Sequence, residues 1–373
     1  MLEAAGIAFT SPDGKVLLCH RTDGLGWAFP GGGKKDEETI GACAVREVWE
    51  ETGYRAGHSG KFLCRRVKDD CDFTTFHYEV DDEFIPKLNH EHDSYVWAAP
   101  DAAMQMQLHP GVPIALRLIK GPMTEVELSK AIRDCELVSP QFIENVCLID
   151  MRISGTGFSY RPALKEWVYR REGLYLTSDF LERCNGIPII YDHPASKILD
   201  SNEFSKRVVG TMQLPYIKGT EVWGIARLYD AQAIKDVIQN TMSTSPSVVF
   251  RDPKVNYTIE LTDKETLLIE GNPSFLDHLA ICEKGVWDKG EDPTGIRVDS
   301  ESSGDPQEQV VTAKLDDTIG EVPVASLPPT GGGDFPAPPM QSIPPAISDL
   351  VTGISAFAER LDKFMARRDL MVR

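Results

Sequence analysis

No apolar run in the chain approaches the roughly 18 residues that a membrane-crossing helix needs. The opening stretch MLEAAGIAFTSPDGK has neither a basic start nor a long apolar segment. A membrane anchor and a secretion signal are therefore not expected. No CxxC pair occurs. The eight cysteines, Cys19, Cys43, Cys64, Cys71, Cys135, Cys147, Cys184 and Cys282, are scattered, which argues for reduced thiols. Cys64 and Cys71 lie nearest each other, but no second pair or histidine cluster completes a metal site around them. Positive charge is scarce: 39 Lys and Arg stand against 57 Asp and Glu, a net charge of −18. Direct nucleic-acid binding is not expected, because phosphate backbones need basic surfaces. Histidine is sparse too, at eight.

What is present suits folded domains, with 42% hydrophobic and 8% aromatic residues. A length of 373 residues exceeds one ordinary core, so several segments are expected. Residues 1–120 alternate short strands with one strong helix, and 121–145 read as a connecting segment. Residues 146–287 are strand-rich, with turn signals at SGTG, CNGIP, IKGTE and EGNPS. From Asp288 to Glu321 there are ten acidic residues against three basic, followed by VPVASLPPTGGGDFPAPPMQSIPP. Residues 288–342 are accordingly expected to be a disordered linker. In 343–373, the residues Ile347, Leu350, Ile354, Phe357, Leu361 and Phe364 are spaced 3, 4, 3, 4, 3. That is an amphipathic heptad helix, which is marginal alone and suited to self-association or to docking on another protein.

The sharpest motif starts at Gly32. The pattern is G-x5-E-x7-REV-x-EE-x-G, with Glu38, Arg46, Glu47, Glu50, Glu51 and Gly53 at its fixed places. It resembles the Nudix box, departing only at Tyr54, where an aliphatic residue is usual. Glu47, Glu50 and Glu51 sit at i, i+3 and i+4, so their carboxylates share one helix face. Like charges so placed repel, and a hard divalent cation removes the penalty. Arg46 can hold a carboxylate in place, and glycines such as Gly32 let backbone approach a metal or phosphate. The resemblance covers about residues 3–120. It implies an α+β Nudix fold, an α/β/α sandwich, that hydrolyses a nucleoside diphosphate linked to some moiety X with Mg²⁺ or Mn²⁺. Glu91 is a candidate extra ligand or base.

The middle zone places His193 after an apolar run in NGIPIIYDHPAS, three serines in STSPSVVF, and His278 in FLDHLAICEKG. A serine nucleophile needs a base within reach, and the base needs an orienting partner. His193 can take the serine proton and His278 can hold the His193 ring. The stretch from about Val146 to Gly285 resembles the tailed-phage prohead protease families, whose β-rich fold is similar to herpesvirus assemblin. The resemblance implies a serine endopeptidase without cofactor, acting on scaffold and capsid proteins and on itself inside the procapsid in the host cytoplasm. It assigns the nucleophile to Ser245, with Ser247 and Ser243 as alternatives, because Pro246 and Ser247 replace the usual apolar residue and glycine. It assigns the third member to His278, with Asp277 as the alternative. Pro246 restricts Ser245 to extended backbone and has no N–H to give to an oxyanion. A structural module without protease activity is the competing reading of this zone.

Overall fold

The computed structural model describes residues 1–262 and 265–299. The heptad at 343–373 and most of the expected linker lie outside the described residues.

Seven short strands at the N-terminus form a mixed sheet: β1 (Leu2–Thr10), β2 (Val16–Arg21), β3 (Trp27–Ala28), β4 (Gly31–Gly33), β5 (Lys61–Lys68), β6 (Cys71–Glu79) and β7 (His92–Ala98). The order is β3-β2-β1-β6-β5, with β4 on β1 and β7 on β2, and β1 runs parallel to β6. Strand alternation sends side chains to two faces. Ile7, Phe9, Leu17 and Cys19 pack with Cys43, Ala44 and Val48 of α1 (Ile40–Thr52). Ala8, Val16 and Leu18 face the other way. They meet Ala103 of α2 (Pro100–Ala103) and Val112, Ala115 and Leu116 of α3 (Val112–Lys120). Helices thus cover both faces, as the sandwich expectation required.

Residues 121–145 are more than a connection, because they contain α4 (Glu125–Arg133) and β8 (Gln141–Ile143). A capping box starts α4: Thr124 Oγ1 accepts from Glu127 N, and the Glu127 carboxylate accepts from Thr124 N at 2.8 Å. Leu128, Ala131 and Ile132 of α4 belong to one core that includes Ala8 and Leu18 of the N-terminal sheet and Leu148 and Ile225 of later strands. Their apolar spacing is that of a buried helix face.

The rest of the chain contributes β9 (Val146–Gly155), β10 (Gly157–Arg161), β11 (Glu166–Arg170), α5 (Glu172–Tyr175), α6 (Ser178–Cys184), β12 (Pro188–Tyr191), α7 (Ser201–Arg207), β13 (Val208–Lys218), β14 (Glu221–Leu228), α8 (Ala231–Gln239), β15 (Ser243–Val249), β16 (Tyr257–Thr262), β17 (Glu265–Glu270), β18 (Phe275–Cys282) and β19 (Ile296–Arg297). One sheet has the order β15-β18-β12-β13-β14-β9-β19, with β8 on β9, and a second has β10-β11-β17-β16. β15 is an edge strand, which is where Pro246 is tolerated. No helix among the described residues is long and apolar enough to cross a membrane.

The expected linker starts at Asp288, but the fold continues through Asp288 to Asp299. Asp288 is buried. It accepts from Ser243 Oγ at 2.7 Å and Gly285 N at 2.6 Å, and pairs with Arg152. β19 pairs with β9, and Arg297 reaches Asp150 at 3.0 Å and Asp299 at 2.9 Å. The acidic composition concealed that two of these carboxylates neutralise arginines of the fold.

A second buried ion pair joins the neighbouring strands β11 and β17 of the four-stranded sheet. The Arg170 and Glu270 side chains, each 1% exposed, form a salt bridge. Tyr175 Oη adds a hydrogen bond to Glu270 at 2.9 Å, and Arg161 a second ion pair at 2.8 Å. Removing one partner of a buried pair leaves the other charge uncompensated. Glu270→Ala is therefore expected to cost about 3–5 kcal/mol in urea unfolding, and a loss below about 1 kcal/mol would show the pair to be solvated.

Candidate functional site

The first candidate centre is built on α1. Thr39 caps the helix by accepting from Ala42 N at 3.2 Å. Gly53 ends it in the left-handed region at φ 68°, donating to Trp49 O at 2.9 Å. The box thereby spans one complete helix. Arg46 lies among the carboxylates. It donates to Glu38 Oε1 at 2.7 Å, Glu47 Oε1 at 2.6 Å, Glu50 Oε2 at 3.2 Å and Gly33 O at 2.9 Å. Arg46, and then the Lys35 N–H at 2.6 Å, hold the Glu38 carboxyl down at about 2. Gly32 passes directly over Glu47: a Cβ there would come within 2.8 Å of its carboxylate carbon.

Glu51 behaves differently. It is 1% exposed, and its Oε2 accepts from Gly31 N at 2.9 Å. Its Oε1 is buried and has no partner among the described residues. Burial pushes this carboxyl up to about 8, against the Gly31 N–H and with help from Glu91 and Glu47. The shared helix face expected for Glu47, Glu50 and Glu51 is thus divided between Arg46 and the interior. Among the described residues, no three His, Cys, Asp or Glu side chains already converge on one point. The donor set nevertheless suits a hard divalent cation. It is all carboxylate oxygen, and one buried oxygen is left orphaned where a positive charge would satisfy it. Glu91 is exposed, with its N–H donated to Asn89 Oδ1 at 2.9 Å, and it contributes to the field on Glu51. Tyr54, the departure from the usual aliphatic residue, stacks on Phe84 with centroids 4.1 Å apart.

The second candidate centre lies where β12, β15 and β18 meet. β18 runs parallel to β12 and antiparallel to β15. The loop after β12 carries His193, whose Nδ1 lies 2.8 Å from His278 Nε2. His278 is fully buried, and its Nδ1 lies 2.7 Å from Asp277 Oδ2. Neighbours on a regular strand point to opposite faces. Here the register steps from Ser247↔His278 to Val248↔Leu276 and leaves Asp277 over. That bulge lets carboxylate and ring meet. Asp277 Oδ2 also accepts from Leu199 N at 2.8 Å, which ties down the loop of His193.

The three serines separate. Ser243 is buried and committed to Asp288 at 2.7 Å. Ser245 and Ser247 are half-buried, opposite Ala280 and His278 respectively, on the strand face shared with His278. Ser247 Oγ donates to Lys197 O at 3.4 Å. Ser245 Oγ has no hydrogen-bond partner, and neither hydroxyl bonds an imidazole, among the described residues. Such bonds are often long before substrate binds. The His193 ring packs beside His278 with centroids 5.0 Å apart. Loss of water around it first, and the His278 imidazole second, hold its pKa below the ordinary histidine range. The sequence reading had Asp277 and His278 as alternatives; the structure brings both together. Only the adjacent DH in the sequence hinted at it. Arg152 and Arg170 are buried ion-pair partners. Arg207 pairs with Glu203.

Comparison with known proteins concerns the first centre. A family model described as the NUDIX domain matches residues 2–120. CTP pyrophosphohydrolase of Escherichia coli (strain K12) is 32% identical over 110 residues, 28% of this chain and 80% of that protein. The Homo sapiens protein "Nucleoside diphosphate-linked moiety X motif 6" is 44% identical over 54 residues, 14% of this chain and 17% of its own length. Among solved structures, the MutT protein from Methanosarcina mazei Go1 is 21% identical and covers 32% of this chain and 92% of that one, with a TM-score of 0.29.

Proposed function

Since the chain belongs to the Nudix family through residues 2–120, we propose that it is a hydrolase with two separate reaction centres. The first cleaves a nucleoside diphosphate linked to a further moiety. The orphaned Glu51 Oε1 carries this reading. Glu47, Glu50 and Glu51 would hold Mg²⁺ or Mn²⁺ once Glu47 and Glu50 turn from Arg46 toward Glu51. When bound, the cation neutralises the diphosphate and acidifies a water. Glu38 keeps Arg46 fixed throughout, and Gly32 keeps the Glu47 carboxylate free of a side chain. The test is nucleotide or phosphate release from a panel of such diphosphates with Mg²⁺ or Mn²⁺; no release with either metal would sink it.

The second centre is read as a serine endopeptidase of Ser-His-His type, of the kind that matures phage capsids. The His193–His278 hydrogen bond beside the serine strand favours it. Ser245 Oγ would attack the scissile carbonyl carbon while its proton passes to His193 Nε2. The departing amine takes that proton, and water then releases the acyl group by the same route. The substrates would be scaffold and coat proteins and the chain itself, inside a procapsid in the host cytoplasm. Co-expression with a phage capsid protein, comparing wild type with Ser245→Ala, tests it on a gel. Absence of any cleavage there would leave the middle zone a structural module. His193 must be neutral to accept the proton, and its lowered pKa keeps it so at neutral pH. Phosphonylation of the serine by a fluorophosphonate, with loss of fluoride, should therefore stay level down to about pH 6.5 and decline only in more acid solution. A decline beginning above pH 7 would contradict His193 as the base.

A further inference from the structure

We propose that Asp277 is a positioning residue that gives the two histidines a single direction of proton transfer. This rests on the peptidase reading of the second centre. Two imidazoles joined by one hydrogen bond are ambiguous, because either ring can be the donor. Asp277 removes the ambiguity. Its carboxylate accepts only, so His278 must carry its proton on Nδ1, 2.7 Å away. His278 Nε2 is then an acceptor, and His193 must donate to it from Nδ1 at 2.8 Å. The remaining nitrogen, His193 Nε2, is left with its lone pair as the base. The same Asp277 oxygen accepts from Leu199 N at 2.8 Å, so one carboxylate fixes the tautomer of one ring and the loop that carries the other. The bulge at Asp277 makes this possible, and the side chain is 8% exposed, which shields the charge from competing water. In the reaction the Ser245 proton moves to His193 Nε2. The Nδ1 protons stay in place, and Asp277 offsets the new positive charge without accepting a proton.

The experiment uses the full chain, with ¹⁵N-labelled histidine NMR and fluorophosphonate labelling on wild type, Asp277→Ala and Asp277→Glu. Wild type is expected to show His278 and His193 both protonated at Nδ1. Asp277→Ala should lose the single tautomer of His278 and slow labelling by roughly 10²- to 10⁴-fold, the range a general base contributes. Asp277→Glu should recover part of the rate, which a purely structural loss would not allow if both variants unfold at the wild-type temperature. A wild-type His278 protonated at Nε2, or Asp277→Ala labelled at the wild-type rate, overturns the proposal. Wild type that is not labelled at all overturns the peptidase reading instead, and the tautomers alone then decide the role of Asp277.

Discussion

Ser245→Ala is expected to keep the purified chain at full length and to abolish fluorophosphonate labelling. The loss of proteolytic rate should be about 10⁶-fold, as when the nucleophile of a serine protease is removed. Two features compete over which serine this is. Strand register favours Ser247, which lies directly across from His278. The free hydroxyl favours Ser245, because Ser247 already donates to Lys197 O and Ser243 is held by Asp288. Pro246 also fixes the backbone of Ser245 in an extended form. Ser247→Ala should accordingly label within about tenfold of wild type, a cost of no more than about 1.4 kcal/mol. The reverse pattern, with Ser247→Ala silent and Ser245→Ala active, would move the nucleophile two residues along the same strand.

Glu51→Gln should reduce Mg²⁺-dependent diphosphate hydrolysis by about 10³-fold, corresponding to the several kcal/mol that a positioned cation supplies. The same substitution should leave the unfolding temperature unchanged or higher. Burial pushes the Glu51 carboxyl up to about 8, so without its cation the charged form is costly, and an amide, which cannot ionise, removes that cost in alkaline solution. Loss of activity with unimpaired stability separates a functional carboxylate from a structural one. Hydrolysis by Glu51→Gln at the wild-type rate would show that the cation is held without this residue.

Much of the first centre was legible because its chemistry is local. Glu47, Glu50 and Glu51 lie within one turn and a half of helix, and helical spacing alone puts them together. Arg46 holding a carboxylate was legible in the same way, since Glu50 lies four residues on; the burial of Glu51 was not, because it depends on what packs against the helix. Strand alternation around one helix was legible from pattern, while the sandwich followed from the resemblance of the box to the Nudix family. The second centre was legible only as far as its residue types. Whether His193 meets His278 depends on β12 lying beside β18, a contact across 85 residues. The bulge that turns Asp277 toward its neighbour has no signature in residue pattern. The early linker boundary failed for a related reason: composition records that Asp288 and Asp299 are acidic, not that Arg152 and Arg297 are waiting for them.

Residue 120 closes the family match, but it does not close a folding unit. Leu128, Ala131 and Ile132 belong to the same core as Ala8 and Leu18 before that point and Leu148 and Ile225 after it. Truncation there would divide the core and leave each fragment with a greasy scar facing water. The parts of the chain that carry the two candidate centres are accordingly not cargo on a string that could be traded independently. One core is shared between them, and α4 is part of it.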